Sequence, residues 1–143
     1  MTGAALDIDL REYDRLQRAI LGLSQTRFQD LMDAIGTEVE SQTRRRIDEE
    51  KEDPEGTPWR PWSPEYAKTR GAHHSLLVNE RHLMDSITHN VLGTELEVGS
   101  SLVYAGVHQK SRPYLGLSGE NEADVLAVVD DFMRSRMRRE GLR

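Results

Sequence analysis

Apolar residues recur every three or four positions over residues 10–47 and again over 125–137, and they alternate with polar ones between 87 and 98. The first period is that of a helix buried on one face, the second that of a half-buried strand. The spacing predicts a first helix over residues 9–23, with Leu10, Tyr13, Leu16, Ile20 and Leu23 on one face. Asp9 and Glu12 fit a capping box, Ile8 and Tyr13 a hydrophobic staple, and Gly22 and Ser24 end the run. A second, longer helix is predicted from about Thr26, which pairs with Gln29 as another capping box, and Phe28, Leu31, Met32, Ile35, Val39 and Ile47 continue its stripe. Its far end, "TRRRIDEEKEDPEG", carries mixed charge and almost no apolar side chain. That end is expected to project from the core until Pro54 and Gly56 stop it. A third long helix is predicted from about Gly119, with Ser118 as N-cap and Val125, Leu126, Val128, Val129, Phe132, Met133 and Met137 as its apolar face. Glu120, Glu122 and Asp124 at its start and Arg134, Arg136, Arg138 and Arg139 at its end complement the helix dipole.

Between the long helices the pattern shortens. "GTPWRPWSPEYAKTRG", residues 56–71, holds both tryptophans of the chain, Trp59 and Trp62, among Pro58, Pro61 and Pro64. Those prolines exclude a long helix or a central strand. Ser63 before Pro64 is a good N-cap and first-turn pair, so "PEYAKTRG" predicts a short helix closed by Gly71. "NERHLMDSI" predicts one or two helical turns capped by Asn79, with Leu83, Met84 and Ile87 facing inward. "ITHNVLGTELEVGS" reads as a hairpin: Ile87, His89 and Val91 alternate, Leu96 and Val98 alternate, and Gly93-Thr94 fits a two-residue turn with Gly first. "LVYAGVHQ" is apolar but leaves helix and strand open, while "RPYLGL" is extended by its proline. The order points to an α+β fold, long helices packed on a small antiparallel sheet with a β-hairpin. Edges of so small a sheet are expected to be covered or paired with another subunit.

With 143 residues, 36% hydrophobic and 31% charged, the chain suits one domain, residues 1–143. The net charge of −6 gives no global bias toward nucleic acid, so any DNA contact would be local. The lack of cysteine excludes disulfides, thiolate catalysis and cysteine-based zinc sites. "MTGAALDIDL" has neither the basic start nor the apolar stretch of a signal peptide, and no apolar run approaches the ~20 residues that cross a bilayer. No membrane partner and no cofactor are expected.

Candidate chemistry is sparse. The five histidines are His73, His74, His82, His89 and His108. An enzyme reading would make a small metal-dependent nuclease or hydrolase of the HNH type from His74, Asn90 and His108. That fold needs a helix carrying the last histidine, whereas His108 precedes the structure-breaking "QKSRPY". No H-E-x-x-H, G-x-S-x-G, Walker A loop or G-x-G-x-x-G occurs. Histidines at the surface or core edge are the favoured reading. Of the two basic clusters, Arg44–Arg46 is balanced by Asp48, Glu49 and Glu50 one turn on. For Arg134, Arg136, Arg138 and Arg139, contact with an acidic partner or DNA stands beside simple helix capping. Trp59 and Trp62 either roof the core or anchor a partner, and both readings can hold with one tryptophan inside and one outside.

Four blocks then carry a resemblance. Gly56, Trp59 and Pro61 with Trp62, Ser63 and Pro64 form the first; Leu83, Ser86 and Ile87 the second. Tyr104, Ala105, His108 and Gln109 form the third, and Arg112, Pro113, Tyr114, Leu115 and Gly116 the fourth. In this order, across about residues 26–137, they resemble the phage virion morphogenesis family, the tail completion proteins of Mu-like and related tailed phages and prophages. Family members commonly carry a Gly- and basic-rich insert between the third and fourth blocks, where this chain has only Lys110 and Ser111. A loop able to reach a neighbour or DNA is thus trimmed. The resemblance implies a structural, non-enzymatic part that acts late in tail assembly, made in the bacterial cytoplasm and placed at the head-proximal end of the tail in the virion. Its implied partners are other tail or neck proteins and further copies of itself in a ring, a hexamer among the options. The expected interaction residues are Trp59, Trp62, Tyr66, Tyr104, His108, Arg112 and Tyr114, on one surface shaped by the Trp59–Tyr66 loop and the Tyr104–Tyr114 stretch. The arm at Arg44–Glu52 is expected to reach toward another neighbour.

Overall fold

The computed structural model describes residues 3–9, 23–71, 74–78 and 81–139, with side chains in the last helix through residue 135. Strand β1 (Ala4–Asp9) comes first, then helix α1 (Gln25–Arg45), which runs on into one π-helical turn, Arg46–Glu50. Short helices α2 (Pro64–Ala67) and α3 (His82–Asp85) precede the hairpin of β2 (Thr88–Leu92) and β3 (Glu95–Ser100). Helix α4 (Ala105–Ser111) and the long α5 (Gly119–Arg139) complete the order. The three strands form an antiparallel sheet in the order β1-β3-β2. Helix α1 lies between this sheet and α5, so the α+β architecture of long helices on a small sheet holds.

Each long element follows its sequence pattern. Leu31, Met32, Ile35 and Val39 are buried on α1, against Leu96 and Val98 of β3 and Ile87 beside β2, while Val125 and Val129 bury the near face of α5. The cap of α1 is Ser24, whose Oγ accepts from Arg27 N at 3.3 Å, so the helix starts before Thr26. Ser118 caps α5 as expected: its Oγ accepts from Asn121 N at 3.1 Å while Asn121 Oδ1 accepts from Ser118 N at 3.0 Å, a reciprocal capping box. The hairpin closes through Gly93-Thr94, where Leu92 pairs with Glu95 and Gly93 takes the φ of +64° that the first position of such a turn requires. Leu83, Met84 and Ile87 point inward. Gly36, buried in the middle of α1, lets His89 of β2 approach: a Cβ there would lie 2.4 Å from the imidazole. The two ring nitrogens of His89 meet Glu40 Oε2 at 2.6 Å and Asp33 Oδ1 at 3.1 Å, and the charged imidazole donates to both.

Three expectations change. The N-terminal segment is a strand to which the sequence reading assigned no structure; Ala4, Leu6 and Ile8 alternate inward with Ala5 and Asp7 outward. Of the helix expected over residues 9–23, Asp9 instead ends that strand, Leu23 is not helical, and residues 10–22 lie outside the described residues. The short helix after Ser63 stops at Ala67 and is not closed by Gly71. Its cap is as expected, with Ser63 Oγ accepting from Tyr66 N. The expected cap Asn79 lies outside the described residues.

The third change is the largest. The charged end of α1 does not project: Gln42, Thr43, Arg46 and Ile47 are buried. They continue the stripe of Val39 by three- and four-residue steps, so the helix carries them into the core whatever their charge. Arg46 donates to the carbonyls of Tyr114 at 2.7 Å and Gly116 at 3.3 Å and to Asn121 Oδ1 at 2.5 Å. Burial holds its pKa below the ordinary arginine value, partly offset by the charge of Glu50. Lys51, at φ +56°, turns the chain away and ties it down through Nζ to Ile47 O, Ser75 Oγ and Leu76 O. Only Asp48, Glu49 and Glu50 of this turn face solvent.

Candidate docking groove

The proline-rich segment folds back because a tight turn starts it. Asp53 Oδ1 accepts from Thr57 N at 2.8 Å, Gly56 N donates to Asp53 O, and Gly56 takes φ +87°. Trp59 N then donates to Lys51 O at 3.0 Å, which points the Trp59 indole inward. The indole is buried and its Nε1 donates to Pro113 O at 2.8 Å. Arg112 returns the contact: Nε donates to Arg60 O at 2.8 Å and an Nη to Pro61 O at 3.4 Å. Two segments about fifty residues apart in sequence are thereby locked side by side.

The fourth block is stitched from beneath. Gln109 Oε1 accepts from the N–H groups of Tyr114 and Leu115, both at 3.1 Å, and its Nε2 donates to Leu115 O. The Tyr114 hydroxyl donates to Ala105 O at 2.9 Å, and burial pushes the phenol up to about 12. Trp59 and Tyr114 therefore belong to the core that supports the surface, not to the surface itself.

Above them opens a groove of about 900 Å³ between the Trp62 loop, α3 and α4. Trp62, Tyr66, Tyr104, His108 and Arg112 line it together with Arg60, Arg70, His82 and Leu77. Five of the seven expected interaction residues thus converge, drawn from the two predicted stretches. Trp62 meets Tyr66 edge-on at 5.8 Å between ring centroids, Tyr104 meets His108 edge-on at 5.6 Å, and the Arg70 guanidinium lies 4.7 Å over the Tyr66 ring. Val103 and Val107, beside Tyr104 at the start of α4, are strongly exposed at 93% and 67%. Burial and the neighbouring Arg112 charge hold His108 below the ordinary histidine value, which favours its neutral form near pH 7. Among the described residues no carboxylate lines this groove, although the whole chain is acidic. Arg60, Arg70 and His82 were missed by sequence reasoning. The only available signal was the excess of basic residues over the lone Glu65 between positions 59 and 71.

The other candidates separate. His74 Nδ1 accepts from Gly71 N at 3.4 Å, Asn90 Nδ2 donates to Glu97 Oε1 at 3.3 Å, and His108 sits on Tyr104; of the three only His108 lines the groove. His108 does lie on a helix, α4, against the sequence expectation that its surroundings break structure. Among the described residues, no group of three or more His, Asp or Glu side chains is arranged to hold a metal ion. Lys110 and Ser111 simply end α4, so the trimmed connection is a helix terminus. Arg134 is exposed on α5 and does not line the groove; the side chains of Arg136, Arg138 and Arg139 lie outside the described residues. A smaller hollow on another part of the surface is acidic, lined by Glu50, Glu52, Asp53, Glu55, Glu120 and Asp124 around Arg45 and Arg46. No helix of the described residues is long and apolar enough to cross a membrane.

A small α+β domain that presents an aromatic and arginine-lined groove on a braced core has the makings of an assembly part. The chain belongs to the phage virion morphogenesis family, whose model matches residues 9–134, most of its length. Membership gives it a structural role in virion assembly and associates it with the virion. No curated protein and no solved structure matches the chain.

Proposed function

We propose that this protein completes the phage tail and helps join it to the head, acting as a structural, non-catalytic part at the head-proximal end. The observation that carries this reading is the groove itself. Two family blocks are clamped together by Trp59 and Arg112, and the outcome is a groove wall of half-buried Trp62 with exposed Tyr66 and Tyr104, near the exposed Val103 and Val107. Rigid aromatic side chains beside arginines are the residue types that dominate interface energetics. A site braced from below and open above is suited to docking a neighbouring tail or neck protein, or another copy in a ring.

The experiment is electron microscopy of lysates in which this gene is disrupted. Filled heads beside separate or malformed tails are expected, and complementation by the intact gene restores joined particles. Normal infectious particles from the disrupted gene would remove the tail completion role.

A further inference from the structure

The groove and the acidic turn are chemically complementary. Arg60 is exposed at the rim of the groove, and no described carboxylate forms an ion pair with Arg60, Arg70 or Arg112. An arginine surface without acids on a chain of net charge −6 is a local inversion of the overall field. The opposite surface exists on the same molecule. The turn that leaves α1 exposes Asp48 and Glu49, and the loop after it exposes Glu55. The residues lining the acidic hollow at this turn include none of those lining the groove, so the two are separate patches. The backbone of each is braced by side-chain hydrogen bonds, the turn by Lys51 and Asp53 and the groove by Arg112. Presenting charges from a braced backbone lowers the ordering cost of a contact.

We propose that the groove at Arg60, Arg70 and Arg112 receives the exposed carboxylates of Asp48, Glu49 and Glu55 from a second copy of this chain. Planar guanidinium groups suit carboxylates through paired N–H donors, and the aromatic walls exclude water from the pairs. Nucleic acid is the less favoured occupant, because the net charge of −6 repels its phosphates at long range. A patch that meets a different patch on its neighbour can repeat from copy to copy, which is the type of contact a ring requires. The inference rests on the self-association proposed above and specifies which surfaces make it.

The test is sedimentation velocity of the full chain at low and high salt, about 0.05 M and 0.5 M, since contacts between partly exposed charges are screened at the higher value. The expected result is a species larger than the protomer that dissociates as salt rises. Reversing the groove with Arg60→Glu and Arg70→Glu, or the turn with Glu49→Lys and Glu55→Lys, is expected to leave each variant protomeric. The shift in half-association concentration should be roughly tenfold or more, as like charges facing across a contact are strongly unfavourable. An equimolar mixture of the two variants is expected to reassemble, because each reversed patch then faces its complement. Circular dichroism melts establish that both variants fold; should one not fold, the neutral pair Arg60→Gln and Glu55→Gln replaces it and weakens association without reversal. A wild-type chain that stays protomeric at every concentration overturns the proposal, as does association indifferent to both variants or a mixture that fails to reassemble. Saturable binding of a single-stranded oligonucleotide, lost in the groove variant and without self-association, makes nucleic acid the occupant and also overturns it. Complementation of the disrupted gene is read separately: a protomeric chain that still restores joined particles keeps the assembly role and loses only this partner.

Discussion

Trp59 and Trp62 are near neighbours in the chain, and Arg46 has counterparts of its own kind in Arg60 and Arg70 of the groove, yet in each comparison one side chain is sealed in the core and the other reaches the surface. The difference lies in what the backbone nearby still needs. Residues 113–118 belong to neither a helix nor a sheet, so their carbonyls have no ladder partner. Buried carbonyls require donors. Trp59 Nε1 serves Pro113 O, and Arg46 serves Tyr114 O and Gly116 O, so both side chains are drawn inward. Arg112 does the same for Arg60 O and Pro61 O from the groove side. Among the described residues the side chains of Trp62, Tyr66, Arg60 and Arg70 donate to no main-chain carbonyl, Arg70 reaching only Thr69 Oγ1, and they remain at the surface. Identical residue types therefore divide into braces and contact groups by the accounting of main-chain hydrogen bonds.

Trp59→Ala is the hardest test of that division. Removing a buried indole and leaving Pro113 O without its donor is expected to cost about 4 kcal/mol of stability, measured by urea unfolding. Trp59→Phe keeps most of the ring and loses the N–H, so a smaller cost of about 1–2 kcal/mol should isolate the hydrogen bond. If Trp62→Ala proves as costly as Trp59→Ala, the comparison fails. Arg46→Met comes next, at about 3 kcal/mol: the change relieves the desolvation of a cation but takes the guanidinium donors from two carbonyls and leaves Asn121 Oδ1 only the Ser118 N–H. Arg46→Lys should rescue little, because a single ammonium cannot span the three acceptors of the guanidinium fork. Equal stability for wild type and Arg46→Met would show that this end of α1 can leave the core, as its charge suggested.

Much of this was legible in the residues. The stripes of α1 and α5, the Ser118 and Ser63 caps and the Gly93-Thr94 hairpin depend on neighbours within a few positions, and each was readable. The convergence of Trp62, Tyr66, Tyr104, His108 and Arg112 was readable through the family blocks. What escaped depends on distant partners. The acceptors of Arg46 lie 68 to 75 residues along the chain, so a charge triplet next to Asp48, Glu49 and Glu50 reads as a solvated helix end until those carbonyls arrive. Strand β1 shows its alternation at Ala4, Leu6 and Ile8, but six residues at a chain end carry a weak signal, and its partner β3 is some ninety residues away. Arg60 and Arg70 look like ordinary loop charges because nothing local says which surface they share.

His89 offers a smaller effect on the braced side of the molecule. Burial lowers its pKa, but the hydrogen bonds and charges of Glu40 and Asp33 outweigh that and hold it above the ordinary 6.5. A group whose folded pKa is raised contributes stability that is complete below its unfolded value and is lost as pH rises through the folded one. Wild type should therefore exceed His89→Gln in stability below about pH 6.5 and lose that margin as pH rises past the folded value. The measurement is urea unfolding of both proteins in parallel from pH 5.5 to 9. A margin constant over that range would mean that the imidazole is held by shape against Gly36 and not by charge.

Trp62→Ala is expected to have the smallest effect on the protomer and the largest ratio of assembly loss to stability loss. The ring is only partly buried, it makes an edge contact with Tyr66, and no hydrogen bond of its indole reaches the described residues. Its removal should lower unfolding free energy by about 1 kcal/mol or less, within the range of a half-exposed aromatic pair. The groove, however, loses its largest apolar wall, and a contact group at the centre of an interface typically contributes more than its share of binding. The decisive readout is therefore paired: thermal melting of the purified protomer, and recovery of joined particles on complementation of the disrupted gene. A stable protomer with failed joining places Trp62 at the contact. A protomer that melts early makes Trp62 a second brace, and the division between the two tryptophans would then be one of exposure without one of function.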